Sequence, residues 1–302
     1  DALRALRNVA LRQCGRVPHE VLPDGNVFHP GNTQEIPQFV SAVRRVVELT
    51  EDTGKFAKEM YLACRTSLLN YLRGAFTLPR SKFPDYPFGN AMVEKEGMAP
   101  IKLDTVCYTW RALHDFASLA RHLQAVDSDF DYAADAGDAL AWAERIAARF
   151  EDDWWIDEAG LYADSLDWDG RRQLDKHWTQ IVPLEVGLAS PERARRVLDT
   201  IIQGWLNEYG MPHTLGADER VWTLPTALLA KTAITTGEHE VGVRLLQNIA
   251  STLTAPGQLG TFKELIPSGL CFIQLWSAAM FVELYEMLHS GKTAHSTRVV
   301  SS

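Results

Sequence analysis

The chain has 302 residues, 46% hydrophobic and 23% charged, with a net charge of −9 and a pI of about 5.5. That is ordinary globular composition, and without a Lys/Arg run it argues against nucleic acid or an anionic membrane as partner. No apolar stretch reaches the roughly 18 residues that a membrane span requires, and the given residues hold no signal-peptide pattern; the start at Asp1, already in helical pattern and without Met, is read as that of a processed or cut piece, so this says little about secretion.

Along the chain the dominant pattern is helical. Apolar residues recur at three- and four-residue spacing over roughly 1–14, 34–50, 54–73, 103–123, 132–150, 179–189, 191–208, 223–236, 239–254 and 271–289. Asp52-Thr53-Gly54 divides the second segment from the third. Ser190-Pro191-Glu192 supplies a cap residue and a first-turn proline for the seventh, and Thr236-Gly237-Glu238 splits the eighth from the ninth. Short connections (50–54, 189–191, 236–239) alternate with long ones rich in Gly, Pro and aromatics (15–33, 74–102, 209–222, 255–270). Stacked antiparallel helix pairs need this rhythm: it collects the long loops on one face, where function tends to sit. The stretch 151–170, with Trp154, Trp155, Gly160 and Asp169-Gly170, predicts a small β-hairpin. The polar tail 291–302 predicts disorder, leaving a single domain over 1–290.

Ten helices make five pairs, so a closed ring of six pairs would lack its N-terminal pair. The alternative is an open solenoid of five hairpins, but solenoid repeats show a fixed period that these segments lack. The four cysteines, Cys14, Cys64, Cys107 and Cys271, are scattered singly with no metal-type spacing. They read as buried free thiols, which favours a reducing, cytoplasmic setting. His19, His29 and His239 match no metal-site spacing, so neither metal nor cofactor is expected.

Two long loops carry the candidate chemistry. The first runs from Phe83 to Pro100 and holds four carboxylates, counted with the helix start that follows, among aromatics and glycines. Glu94 follows the apolar run Ala91-Met92-Val93, and apolar surroundings raise a carboxyl's pKa, as a general acid needs. The plainer alternative is a solvated loop charge. In the second loop Glu264 is flanked by Phe262, Leu265 and Ile266, with Pro267 stiffening the turn and glycines that let backbone approach a ligand. Gln274 and Ser277, three apart on the following apolar helix, share a face.

The segment Glu264–Ser277 resembles the general-base segment of glycoside hydrolases with the (α/α)6 barrel. It is similar to glucoamylase and glycogen-debranching (amylo-α-1,6-glucosidase-like) enzymes: a Glu, then Pro and Gly, then Gln-x-Trp-Ser opening a helix. Gly89-Asn-Ala-Met-Val-Glu94, followed sixteen residues on by Trp110, resembles their general-acid loop. Gly31-Asn-Thr-Gln-Glu, Tyr162-Ala-Asp-Ser, His177-Trp-Thr-Gln and Trp222-Thr-Leu-Pro add to a likeness covering roughly 1–290. It implies an all-α (α/α)6 toroid of the six-hairpin type, about ten of twelve helices being present. It further implies inverting hydrolysis of an α-linked glucosyl bond in an oligosaccharide or glycoside, with Glu94 as acid and Glu264 as base. Alignment on Gly89, Val93 and Pro100 gives the acid role to Asp85 instead. His177, Trp178, Trp222, Arg220, His213, Asn32, Gln34, Glu35 and Gln274 are the candidates for lining the sugar pocket. For Asn32, Gln34 and Glu35, at a helix start, capping is the competing role; Asp104 is expected to hold its loop rather than touch sugar.

Other readings stay open. A rhamnosidase, trehalase or other exo-glycosidase uses the same barrel. A polysaccharide lyase or epimerase would need His213, His177 and Tyr108 to converge. A non-catalytic carbohydrate-binding or scaffold protein would leave Glu94 and Glu264 apart.

Overall fold

The computed structural model describes residues 2–12, 15–52, 54–92, 97–251, 265–266 and 275–289. Its helices are α1 Ala2–Arg12, α2 Glu35–Leu49, α3 Lys55–Arg65, α4 Arg73–Phe76, α5 Leu103–Gln124, α6 Tyr132–Trp154, α7 Val182–Val186, α8 Pro191–Gly204, α9 Thr223–Thr235, α10 His239–Ser251 and α11 Leu275–His289. Short strands sit in the long connections: β1 Glu20–Val21, β2 Val27–His29, β3 Ile101–Lys102, β4 Trp155–Ile156, β5 Leu161–Tyr162, β6 Ser165–Leu166, β7 Arg172–Gln173, β8 Pro212–Thr214, β9 Asp218–Trp222 and β10 Leu265–Ile266. Most helices match the periodic segments, but over 179–189 a 3-10 turn, Trp178–Ile181, precedes the short α7, and α8 ends at Gly204 rather than at 208. The expected tail 291–302, Cys14 and Cys271 lie outside the described residues; Cys64 and Cys107 are buried free thiols.

Residues cluster into two compact units. One comprises 1–154 with 165–173, the other 155–164 with 174–302. In the first unit α5 is buried on nearly every face, Leu103 through Trp110 without a break, which marks an interior helix. Gln38 bonds Arg111 at 3.3 Å and Arg44 bonds Ser118 at 2.9 Å, so α2 and α5 run in the same direction. Lys58 pairs with Asp127, Arg65 with Asp135 and Arg73 with Asp138, which sets the α3–α4 stretch parallel to α6. Short connections between the layers therefore reverse the chain, and long ones bring it back to the start of the next interior helix. Asp52 caps α3, accepting the N–H groups of Gly54, Phe56 and Ala57 at 3.0–3.1 Å.

In the second unit α9 takes the interior place, with Pro225 through Ala230 all buried. It packs against α10, α11 and α7, and Lys231 on α9 reaches Glu283 at 3.0 Å.

Three expectations need correction. The helix expected over 54–73 is not uniform: Thr66–Leu72 widens to a π-helix, packed by the buried Leu68, Leu69 and Leu72. The helix expected to end at 150 continues to Trp154, because Phe150 and Trp154 are both fully buried and keep its apolar stripe going. The expected hairpin is therefore two, β4–β5 and β6–β7, and β6 also pairs antiparallel with β3, Ile101 opposite Leu166. That pairing joins residues far apart in the chain, out of reach of a local pattern. No described helix is long and apolar enough to cross a membrane.

Candidate active site

In each unit the long connections deliver polar side chains to the starts of the interior helices. At the start of α2, Gly31 takes φ +73° and packs so closely on Val17 that a Cβ would lie 2.0 Å from its carbonyl oxygen; only glycine fits. Arg16 Nε donates to the Gly31 carbonyl at 2.7 Å. Glu35 is occupied structurally: Oε2 accepts the Asn32 N–H and Oε1 meets His19 Nδ1, both at 2.7 Å. Gln34 stands at the helix start without a side-chain cap bond. Asn32 Oδ1 is buried with no hydrogen-bond partner among the described residues, which leaves an acceptor for a ligand hydroxyl.

The Thr33 hydroxyl crosses to the Asn90 carbonyl at 3.0 Å, and the Thr105 hydroxyl donates to the same oxygen at 2.8 Å. Gly89 donates to the Pro100 carbonyl at 3.0 Å. Its φ is +126°, and a Cβ there would sit 2.7 Å from Thr33 Oγ1. Met92 N–H donates to Asp104 Oδ2 at 2.7 Å. Burial pushes the Asp104 carboxyl up to about 6, against the N–H bonds it accepts and nearby Lys102. Lys102 in turn donates Nζ to the Ala99 carbonyl. The stem of the 83–100 loop is thus fixed through Met92; Glu94 itself lies outside the described residues.

Asp85, the alternative acid, bonds Arg145 Nε at 2.8 Å, and its carbonyl accepts the Trp142 indole N–H at 2.8 Å. Both contacts tie this part of the loop to α6.

The second unit is organised around Asp164, which is 1% exposed. It accepts N–H groups from Asp175 at 2.6 Å, Lys176 at 2.7 Å and His177 at 3.3 Å, and Gln180 Nε2 at 2.9 Å. Burial raises this carboxyl to about 6. The bonds wrap the 175–177 turn round it, with Lys176 at φ +60°. His177 is thereby aimed at Thr214: its Nδ1 meets Thr214 Oγ1 at 2.8 Å, and His213 Nδ1 meets the same hydroxyl at 2.9 Å. The two imidazoles stand 5.9 Å apart, and His213 lies 5.2 Å from the Trp222 ring. Burial lowers the His213 pKa, with Asp218 opposing, which favours the neutral ring. Arg220 forms a two-pronged pair with Asp218 at 2.8 and 2.6 Å.

Trp178 is 1% exposed, and the buried indole N–H groups of Trp178 and Trp222 have no hydrogen-bond partner among the described residues. Beside Trp222, β10 pairs antiparallel with β9, Leu265 opposite Trp222. Leu265 directly follows Glu264, which, like Gln274, is outside the described residues.

Of the candidates, the first unit brings Asn32 against the loop stem that leads to Glu94, while Gln34 and Glu35 sit at the start of α2 with no side-chain hydrogen bond to that stem among the described residues. The second brings His177, Trp178, His213, Arg220 and Trp222 together beside β10. Tyr108, which a lyase or epimerase reading needs, is buried in the first unit with Arg111 over its ring. Sequence reasoning missed Asp164 and Thr214 as organisers. A single Asp inside the apolar run Leu161–Leu166 was the available signal, since a carboxylate there has to be paired.

No family model matches the chain. It is 29% identical over 136 residues to a periplasmic trehalase of Pseudomonas aeruginosa, covering 45% of this chain and 23% of that protein; the chain thus spans under a quarter of that relative's length. A glucose complex of a GH63 mannosylglycerate hydrolase from Thermus thermophilus superposes with a TM-score of 0.68 at 17% identity, over 94% of this chain and 89% of that one. A GH78 family rhamnosidase of Bacillus sp. GL1 gives 0.70 at 16% identity, over 96% of this chain and 29% of that one. The structural likenesses show the fold, the helical-hairpin (α/α)6 class.

Proposed function

We propose that this chain is the catalytic domain of a glycoside hydrolase that acts on an oligosaccharide or small glycoside. The observation that carries the reading is the register of β10 on β9. The residue after Glu264 lies opposite Trp222, whose buried indole N–H has no partner among the described residues, and Trp222 adjoins His213. Unpaired buried donors are costly, and a sugar hydroxyl supplies the missing acceptor. Within the first unit, buried Asn32 Oδ1, just before α2, is an acceptor with no partner among the described residues.

In the mechanism we propose, Glu94 gives its proton to the departing glycosidic oxygen, and Glu264 takes a proton from the water that attacks the anomeric carbon. The configuration inverts, and a pair working this way stands roughly 6.5–9.5 Å apart. An α-linked glucosyl residue is the proposed substrate. The trehalase likeness and the glucose bound by the Thermus hydrolase support glucose; the rhamnosidase likeness makes rhamnose the second choice. The buried thiols Cys64 and Cys107 are consistent with a cytoplasmic setting.

The test is sugar release from trehalose, maltose, isomaltose and an α-rhamnoside, with proton NMR of the first anomer formed. Release of the inverted anomer, abolished in Glu264→Gln, is the expected result. Binding without turnover would make the protein a carbohydrate-binding module instead, and a retained anomer would overturn Glu264 as the base that activates water.

A further inference from the structure

The first unit carries a row of aromatic rings, Trp168, Phe88 and Phe76, that the proposed mechanism does not use. Trp168 stands at the tip of the β6–β7 hairpin and is 40% exposed. The tip around it is tightly tied. Asp167 accepts the N–H groups of Asp169 and Arg171 at 2.9 Å and Arg171 Nε at 2.6 Å, and Gly170 N–H closes on the Asp167 carbonyl at 3.0 Å. An indole on so constrained a turn keeps its direction. Its ring meets Phe88 edge-on, 5.3 Å away at 76°, and Phe88 adjoins Phe76 at 5.7 Å. Phe88 N–H also donates to the Phe76 carbonyl at 2.8 Å.

Three features point to what covers this ring. Phe88 is six residues before Glu94 on the same loop, so the row borders the stem already assigned to the acid. A cavity of about 480 Å³ opens on Leu78, Pro79, Arg80 and Ser81, and the next residue, Lys82, reaches the Asp169 carbonyl at 3.4 Å. The rim therefore offers a flat apolar face with hydroxyl, ammonium and guanidinium groups at its edge. A pyranose has this complement: one face of C–H groups and a perimeter of hydroxyls. A protein partner would need roughly 800 Å² of surface, far beyond one indole and its neighbours. A nucleobase would come with phosphates that a chain of net charge −9 repels.

We propose that Trp168, backed by Phe88, is a stacking platform for a sugar ring on the leaving-group side of the bond that is cleaved. The assignment of side rests on Glu94 as the acid; the platform itself does not.

The test compares Trp168→Ala and Trp168→Tyr with the wild-type chain on two substrates. One is the best-cleaved disaccharide among maltose, isomaltose and trehalose; the other is α-glucosyl fluoride, whose leaving group is a single atom. For Trp168→Ala, the disaccharide KM rises roughly tenfold relative to that for the fluoride, an effect of about 1.4 kcal/mol, and Trp168→Tyr recovers most of it. Equal changes on both substrates, or none, overturn the platform while leaving the hydrolase reading intact. If the wild-type chain cleaves neither substrate, calorimetric titration with the same disaccharides decides. Binding lost in Trp168→Ala at unchanged melting temperature upholds the platform without the hydrolase; binding unaffected by the substitution, or absent from the wild type, overturns it.

Discussion

Asp104 Oδ2 accepts the backbone N–H of Met92 at 2.7 Å, so a buried carboxylate at the start of α5 grips the chain two residues before the proposed acid. Asp104→Ala removes the acceptor and leaves that N–H unpaired, a cost of about 1–3 kcal/mol in unfolding free energy. The loss of kcat is expected to exceed what lowered stability explains. Asp104→Asn keeps an acceptor oxygen and retains most activity. Denaturation paired with steady-state kinetics checks both.

The same residue gives a pH signature. Its carboxyl is raised by burial from 3.8 to about 6 in the folded chain, so the native state holds this proton more tightly than the unfolded state does. Its contribution to stability is complete below about pH 4 and is lost as pH rises through about 6. A rise of that size corresponds to about 3 kcal/mol. The unfolding free energy of wild type relative to Asp104→Asn is therefore expected to fall across that window, measured by denaturant titration at closely spaced pH values.

Gly89→Ala puts a Cβ 2.7 Å from Thr33 Oγ1 at a φ of +126°. It is expected to cost about 1–3 kcal/mol and to depress kcat through the adjoining loop. Gly74 is helical with nothing among the described residues within 4 Å of a Cβ, so Gly74→Ala is expected to stabilise by about 0.4–1 kcal/mol. Thermal melts of the two variants give opposite signs.

Three carboxylate variants separate the acid assignments. Glu94→Gln and Glu264→Gln each lower kcat by at least about 10²-fold, the usual scale for a lost general acid or base. Asp85→Asn, which weakens the Arg145 anchor, leaves kcat within a few-fold of wild type. Strong loss in Asp85→Asn with a mild effect in Glu94→Gln would transfer the acid role to Asp85.

Trp222→Phe discriminates a pocket residue from a core one. The indole N–H is buried without a partner among the described residues, so its removal leaves the stability of the free chain unchanged or raises it by about 1 kcal/mol. Substrate affinity nonetheless falls, and KM rises several-fold. A stability loss with unaltered KM would assign Trp222 to packing alone.

The sequence alone determined the helices and the rhythm of their connections. Apolar residues at helical spacing, the Ser190-Pro191 start and the Asp52–Gly54 break are local signals, and each acts through neighbours a turn or two away. It also brought into view the two loops with their glutamates and most of the polar candidates, because glycines, aromatics and carboxylates crowded in a long connection are unusual for a mere linker. Only the tertiary structure decided which carboxylates are buried and what they hold. Asp104 looks no different from a surface aspartate in the string of letters and Asp164 is marked only by its apolar neighbours; the character of both comes from N–H groups 11–13 residues away closing around them. The same holds for β3 on β6, β10 on β9, and the edge of Phe88 against Trp168. Those contacts join residues that chain entropy keeps apart until the helix layers pack, so no local pattern encodes them.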